Sequence, residues 1–187
     1  ARIGVLKTAH GEVNTPFFMP IATYGAVKTQ SSQEIKNLPS NILLSNTYHL
    51  YIRPGTKILE QSGGLHKFMN WNKIILTDSG GYQVYSLSGM RKIDSNGVIF
   101  QSHLDGSKHY FTPEKVIDIQ RSIGSDIMMM LDVCPPGDAN KKEWVSALKY
   151  TTSWAKRAKK HYDQTNPLYG YHQIISPIIQ GGTNLEL

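Results

Sequence analysis

Four short apolar runs of this chain each end in a side chain that can hydrogen-bond the edge of a planar ring. They are Ile42-Leu43-Leu44-Ser45-Asn46, Ile74-Ile75-Leu76-Thr77-Asp78, Ile127-Met128-Met129-Met130-Leu131-Asp132 and Pro177-Ile178-Ile179-Gln180. A carboxylate accepts two hydrogen bonds at once, which suits the N1–H and exocyclic amine of guanine. A glutamine amide can donate to a carbonyl such as guanine O6. Asp78 sits in Thr77-Asp78-Ser79-Gly80-Gly81-Tyr82-Gln83. There the two glycines allow a tight turn and close backbone approach to a ligand, and Tyr82 can offer a ring face. Two carboxylates in one pocket would raise at least one pKa, as acid/base work requires, and paired carboxylates also suit glycosidic chemistry. Each position has a plainer reading. Asp78 and Asp132 can cap or order loops, Gln180 can bond backbone, and Asn46 can either contact a ribose hydroxyl or order its own loop.

Convergence of these residues requires the elements between them. Each apolar run reads as a short buried strand, at about 41–46, 73–78, 126–132 and 174–180, and most intervening segments carry a helical pattern. That is the grammar of a parallel βα fold, whose ligands bind at the carboxyl ends of the strands. Ser31-Ser32-Gln33-Glu34 is a capping box opening a short helix before Pro39. A second short helix is expected from Pro54 to Gln61, and a third from Thr112-Pro113 to Gly124 with Val116, Ile119 and Ile123 as its apolar stripe. A long helix covers about 141–162. Its apolar stripe is Trp144, Leu148, Thr151, Ala155, Ala158 and Tyr162, and Lys142, Lys149, Lys156, Arg157, Lys159 and Lys160 are its basic residues. Residues 2–20 read as a β-hairpin turning at His10-Gly11, with Pro16 and Pro20 limiting its second strand. Residues 97–111 read as an inserted hairpin around Asp105-Gly106.

The 187 residues are enough for one domain with a sizeable core. They are short for a complete eight-stranded βα barrel, which takes ~250, and the chain reads as part of a longer protein. The net charge of +6 fits a polyanionic partner such as nucleic acid without requiring one. Cys134 is the single cysteine, so no intrachain disulfide is possible. It has no adjacent cation to activate it and reads as a small apolar wall. The seven histidines show no metal-ligand spacing. No signal peptide or apolar run of membrane length is present, and a cytoplasmic protein is the expectation. The basic run Lys156-Arg157-Ala158-Lys159-Lys160 reads first as a solvated helix face and second as a phosphate contact.

Five ordered segments extending over nearly the whole chain resemble the tRNA-guanine transglycosylase family. They are Thr15-Pro16-Phe17-Phe18-Met19-Pro20, Ser45-Asn46-Thr47-Tyr48-His49-Leu50, Thr77-Asp78-Ser79-Gly80-Gly81-Tyr82-Gln83, Met130-Leu131-Asp132-Val133-Cys134-Pro135 and Ile179-Gln180-Gly181-Gly182. The resemblance implies a partial (β/α)8 TIM-like barrel preceded by an antiparallel β-hairpin and truncated before closure. It implies exchange of guanine at the tRNA anticodon wobble position for a 7-deazaguanine, through a covalent intermediate on an aspartate. On matching positions Asp78 would be the proton acceptor and touch the base, and Asp132 would bind the guanine-like edge. Gln180 would donate to the base carbonyl, Tyr82 would stack on the ring, and Asn46 would lie near the ribose. Ser79, Gly80 and Gly81 would form the base-binding loop. Cys134-Pro135 resembles the bacterial branch, which inserts 7-aminomethyl-7-deazaguanine.

The resemblance also implies that the nucleophilic aspartate and a structural zinc site, with three cysteines and a histidine, lie beyond residue 187. No cofactor is expected within the chain itself. The expected partners are tRNA, the base and a second copy of the full-length protein, with no membrane. Two rival readings stand beside this one. A non-catalytic, RNA-binding partner subunit of the same family is disfavoured by the joint presence of Asp78, Asp132 and Gln180. A barrel glycosidase is disfavoured by the basic charge and by a residue set shaped for a base.

Overall fold

The computed structural model describes residues 2–87, 91–184 and 186–187. Strands β1 (Gly4–Thr8) and β2 (Gly11–Thr15) pair antiparallel with Thr8 opposite Gly11, so the two-residue turn is Ala9-His10. This shifts the expected His10-Gly11 turn by one residue. The second strand stops at Thr15 because Pro16 follows it and cannot donate to a ladder. Helix α1 (Ser32–Lys36) opens on the expected capping box, with Ser31 and Glu34 bonded reciprocally.

Strands β3 (Ile42–Ser45) and β4 (Ile74–Thr77) follow, separated by the short helices α2 (Thr47–Ile52), α3 (Thr56–Gln61) and α4 (Leu65–Met69). Only α3 had a sequence signal. Helices α2 and α4 have six and five residues, too short to show a clear period. Tertiary packing holds helices of this length. Here Tyr48, Leu50 and Leu65 are fully buried. Another unanticipated helix, α5 (Gly81–Leu87), starts inside the glycine pair that reads as a loop.

Strands β5 (Arg91–Ile93), β6 (Val98–Gln101) and β7 (Lys108–Phe111) form an antiparallel three-stranded sheet, so the insertion is larger than one hairpin. Asp105-Gly106 lies in the six-residue connection between Gln101 and Lys108 and is not a two-residue turn. Helix α6 (Pro113–Ile123) has the expected Thr112 cap, Pro at its start and left-handed Gly124 at its end. Then come β8 (Ile127–Met129), α7 (Lys141–Gln164) and β9 (Ile174–Ser176). The buried face of α7 is Ala147, Thr151, Trp154 and Ala158, rotated from the expected stripe so that Trp144 and Leu148 are only half-buried.

Strands β3, β4, β8 and β9 form one parallel sheet in that order. All four are shorter than the sequence suggests. The largest corrections fall on β8 and β9, each three residues long, and residues 177–180 leave the last strand at Pro177, which has no N–H to offer. Side chains alternate across this mixed α/β core. Ile42, Ile74, Leu76, Ile127 and Ile174 pack toward the hairpin residues Leu6, Val13, Phe17 and Met19. Leu43 and Ile75 pack with the helical cluster, while Met128 meets Ile117 and Ala158. Buried Gln120 of α6 accepts from Thr77 Oγ1 at 2.7 Å and donates to the Met129 carbonyl at 2.9 Å. It thereby fixes the ends of β4 and β8 relative to each other, next to the segments that carry Asp78 and Asp132.

The amino end of the sheet holds a second polar cluster. Asp126, fully buried before β8, accepts from His10 N at 3.1 Å, from Ile75 N at 2.9 Å and contacts His10 Nδ1 at 2.8 Å. His66 Nε2 lies 3.2 Å from its other face, and His66 Nδ1 must donate to the Trp71 carbonyl 3.1 Å away, since a carbonyl only accepts. The two imidazoles stack with centroids 3.7 Å apart and planes at 23°. One ring nitrogen of each histidine and an Asp126 carboxylate oxygen lie within 4.8 Å of one another, a grouping that could hold a metal ion and that the sequence spacing of the histidines does not reveal. The cluster ties the hairpin turn, α4 and β8 together.

Candidate active site at the carboxyl ends of the strands

Asn46, Asp78 and Asp132 all follow the carboxyl ends of parallel strands, and the structure brings them to one side of the sheet. Asn46 occupies the N-cap position of α2 without making a cap bond. Its Nδ2 instead donates to Asp78 Oδ2 at 2.5 Å. Asp78 supplies the missing cap from the neighbouring strand, accepting Thr47 N at 2.9 Å on Oδ1. Gly80 N also donates to Oδ1 at 3.1 Å, and Thr47 Oγ1 donates to the Asp78 carbonyl at 2.6 Å. Gln83, on the first turns of α5, adds a side-chain hydrogen bond to the same carboxylate while its own Oε1 is buried without a partner among the described residues. The plain reading of Asp78 as a capping residue is thus structurally real. It does not exclude chemistry at the same carboxylate.

One residue further along, the Ser79 hydroxyl donates to Asp132 Oδ1 at 2.7 Å and accepts from Gly81 N at 3.1 Å. Gln180 Nε2 donates to Asp132 Oδ2 at 2.7 Å. Gln180 thus reaches the group from an irregular segment four residues past its strand. All four strand-following residues belong to one continuous constellation: Asn46–Asp78, then Ser79–Asp132–Gln180. Tyr82 lies in the first turn of α5 with 61% of its surface exposed, so its ring is available to a ligand.

Burial raises the pKa of Asp78, opposed by the hydrogen bonds from Asn46, Thr47, Gly80 and Gln83. Burial likewise raises that of Asp132, opposed by Ser79 and Gln180. Desolvation drives both shifts. Repulsion between the two carboxylates, the cause suggested by their joint presence in the sequence, is not among the causes. The Cys134 thiol is also pushed up, first by burial and then by the Asp132 charge, which makes it a poor nucleophile. It lines a slot of about 20 Å³ with Gly81, Asp132 and Trp154. A much larger cavity of about 640 Å³ lies far from these carboxylates, between the hairpin residues Val13 and Phe17 and the Leu38-Pro39 segment.

Sequence reading missed Gln83 and the backbone N–H of Thr47. Gln83 stands at the end of a quoted motif, but its role depends on α5 turning it back toward Asp78. The glycine pair has two separate causes. Gly80 adopts φ +78°, which disfavours any side chain. Gly81 is in the helix, where an added Cβ would lie 2.7 Å from the Asp132 carbonyl and 2.8 Å from Asp132 Oδ1. Gly81→Ala is therefore expected to push Asp132 away from Ser79. Overpacking of this kind costs about 1–3 kcal/mol. The check is thermal unfolding together with guanine titration of the full-length protein, and unchanged affinity would show that Asp132 tolerates the shift.

Such a fold and such a cluster define an α/β protein with a candidate ligand site at the carboxyl ends of parallel strands. The family model for queuine tRNA-ribosyltransferase matches residues 1–187, and the chain belongs to that family. Queuine tRNA-ribosyltransferases from Caldanaerobacter subterraneus subsp. tengcongensis, Dictyoglomus turgidum and Fusobacterium nucleatum are 53%, 52% and 50% identical to it over 187 residues. In each comparison 100% of this chain is covered, against 48%, 47% and 49% of the relative. The chain spans about half the length of the curated relatives it matches. No helix among the described residues is long and apolar enough to cross a membrane.

Proposed function

We propose that the full-length protein exchanges guanine at the tRNA wobble position for a 7-deazaguanine, 7-aminomethyl-7-deazaguanine, and that residues 1–187 supply its base-recognition half. The observation that carries this reading is the Asp132 carboxylate, held between Ser79 and the Gln180 amide. A guanine-like edge presents two donors and one acceptor. Asp132 accepts the donors, Gln180 gives its amide hydrogen to the base carbonyl, and Tyr82 covers the ring. Ser79, Gly80 and Gly81 shape the loop beneath the base. Asp78, with its pKa raised by burial, takes up a proton, and Asn46, bonded to it, lies near the ribose. Because Asp78 starts with both oxygens engaged, it must exchange one of these partners to meet a substrate.

The four-stranded sheet is, on this reading, the first part of a (β/α)8 barrel whose bottom is closed by the β1–β2 hairpin. The 20 Å³ slot beside Asp132 is far too small for a base, so the base lies on the open side beside Tyr82. The rest of the pocket, the nucleophilic aspartate and a structural zinc site belong to the sequence beyond residue 187, and the full-length protein works in the cytoplasm as a homodimer. The full-length protein incubated with labelled guanine and a tRNA carrying wobble guanine is expected to label the tRNA. Residues 1–187 alone are expected to leave it at the no-enzyme level. Failure of the full-length protein to label any such tRNA overturns the reading. Labelling by residues 1–187 alone would move the nucleophile to a carboxylate of this segment.

A further inference from the structure

The basic residues of α7 sort into two sets. Arg157 pairs with Glu114 at 2.7 Å, Lys159 with Asp163 at 2.6 Å and Lys141 with Glu186 at 2.6 Å. Lys142, Lys149, Lys156 and Lys160 have no carboxylate within ion-pair distance among the described residues, and all four are exposed. At 3.6 residues per turn they fall within an arc of about 40°. That arc lies opposite the face of Ala147, Thr151, Trp154 and Ala158 that α7 buries. Ser146 and Ser153 lie about 20–40° to one side of that arc, and no acidic residue of α7 falls within it. Lys142 to Lys160 is eighteen positions, about 27 Å of helix.

We propose that this lysine stripe is a docking surface for the sugar–phosphate backbone of RNA, that of the tRNA substrate. The inference rests on the proposed tRNA substrate and adds a backbone-binding surface to the base-recognition residues. Its length argues for a polyanion, since a single phosphate would use one or two of the lysines. Its composition argues for RNA over a lipid surface. A helix that binds a membrane inserts an apolar face, and the apolar face of α7 is already buried in the protein core. Serine hydroxyls beside the lysines can also bond phosphate oxygens.

The test uses the full-length protein and a wobble-guanine tRNA transcript. The quadruple variant K142Q/K149Q/K156Q/K160Q is compared with wild type and with K159Q, which removes a paired, off-stripe lysine. Each lost phosphate contact removes about 0.7–0.9 from the slope of log affinity against log salt. The quadruple variant should lower that slope by about 3 and raise KM for tRNA at least tenfold. Its kcat at saturating tRNA, its affinity for free guanine and its melting temperature should stay near wild type. K159Q should match wild type throughout. A slope and KM indistinguishable from wild type, with exchange intact, overturn the stripe and leave the base-exchange reading standing. Dependence of anionic-vesicle binding, but not tRNA binding, on the stripe also overturns it. Absence of tRNA binding by wild type removes both readings together.

Discussion

Asp132→Asn in the full-length protein is expected to lower kcat/KM for base exchange by ~30- to 1000-fold, a loss of about 2–4 kcal/mol in transition-state stabilisation. The substitution keeps the shape and removes one acceptor. Asp132 Oδ1 receives the Ser79 hydroxyl and Oδ2 the Gln180 amide. In the variant one of these atoms becomes an NH2 group facing the donors of a guanine-like edge. Stability should move the other way or not at all. Burial holds the Asp132 pKa above its unfolded value. A carboxyl raised in this way contributes stability below its unfolded pKa, near 3.9, and loses it as pH rises through the folded value. At neutral pH the buried charge is therefore a cost that Asn relieves, while Ser79 and Gln180 can reorient toward the new side chain. Kinetics with labelled guanine and melting curves at pH 7 decide the matter. A large fall in melting temperature with exchange intact would make Asp132 a structural residue.

The opposite signature is expected at the other end of the same sheet. Asp126→Asn should destabilise the full-length protein by about 3–5 kcal/mol, because it strips the charge from a buried ionic cluster and leaves its donors unpaired. Asp126 Oδ1 faces His10 N and Nδ1, and Oδ2 faces Ile75 N and the His66 ring. An amide NH2 on either side meets a backbone N–H. Burial alone would raise the Asp126 pKa, but the His66 ring, the Ile75 N–H and His10 outweigh it and hold the carboxyl below its usual range. For a depressed carboxyl the stabilisation is present above the unfolded pKa and lost as pH falls through the folded value. Wild type should therefore lose stability on the acid side, below about pH 4, more steeply than the variant. Equal stability of the two proteins at pH 7, or parallel acid limbs, would show that the His10–His66–Asp126 cluster contributes little.

Physically, Asp126 and Asp132 differ only in surroundings. Both are buried aspartates flanking β8, six residues apart. Asp126 meets two imidazoles and two backbone N–H groups, and its pKa falls. Asp132 meets one hydroxyl and one neutral amide, and its pKa rises. Sequence reading singled out Asp132 through its place after an apolar run. It passed over Asp126, because the partners at His10 and His66 are distant in the chain and show no spacing that joins them.

Local physics made much of this protein legible from sequence. Apolar runs of three to five residues with polar ends marked the first three parallel strands, since burial on both faces demands continuous apolar character. Side-chain caps marked α1 and α6, because their bonds close within three residues of the start. Asn46, Asp78, Asp132 and Gln180 were identified as a set because residues at successive carboxyl ends of parallel strands share one side. What only the tertiary structure decided depends on long-range contacts. Helices α2, α4 and α5 open without the capping box or Thr-Pro start that marks α1 and α6, and they exist through packing. Gln180 ends an apolar run in the sequence but reaches Asp132 from beyond β9, through an irregular segment that begins at Pro177. The face of α7 that is buried, and hence the alignment of its unpaired lysines, follows from where Trp154 finds space against the core. Desolvation, which sets the proton affinity of Asp78 and Asp132, is a property of the folded surroundings and has no counterpart in residue order.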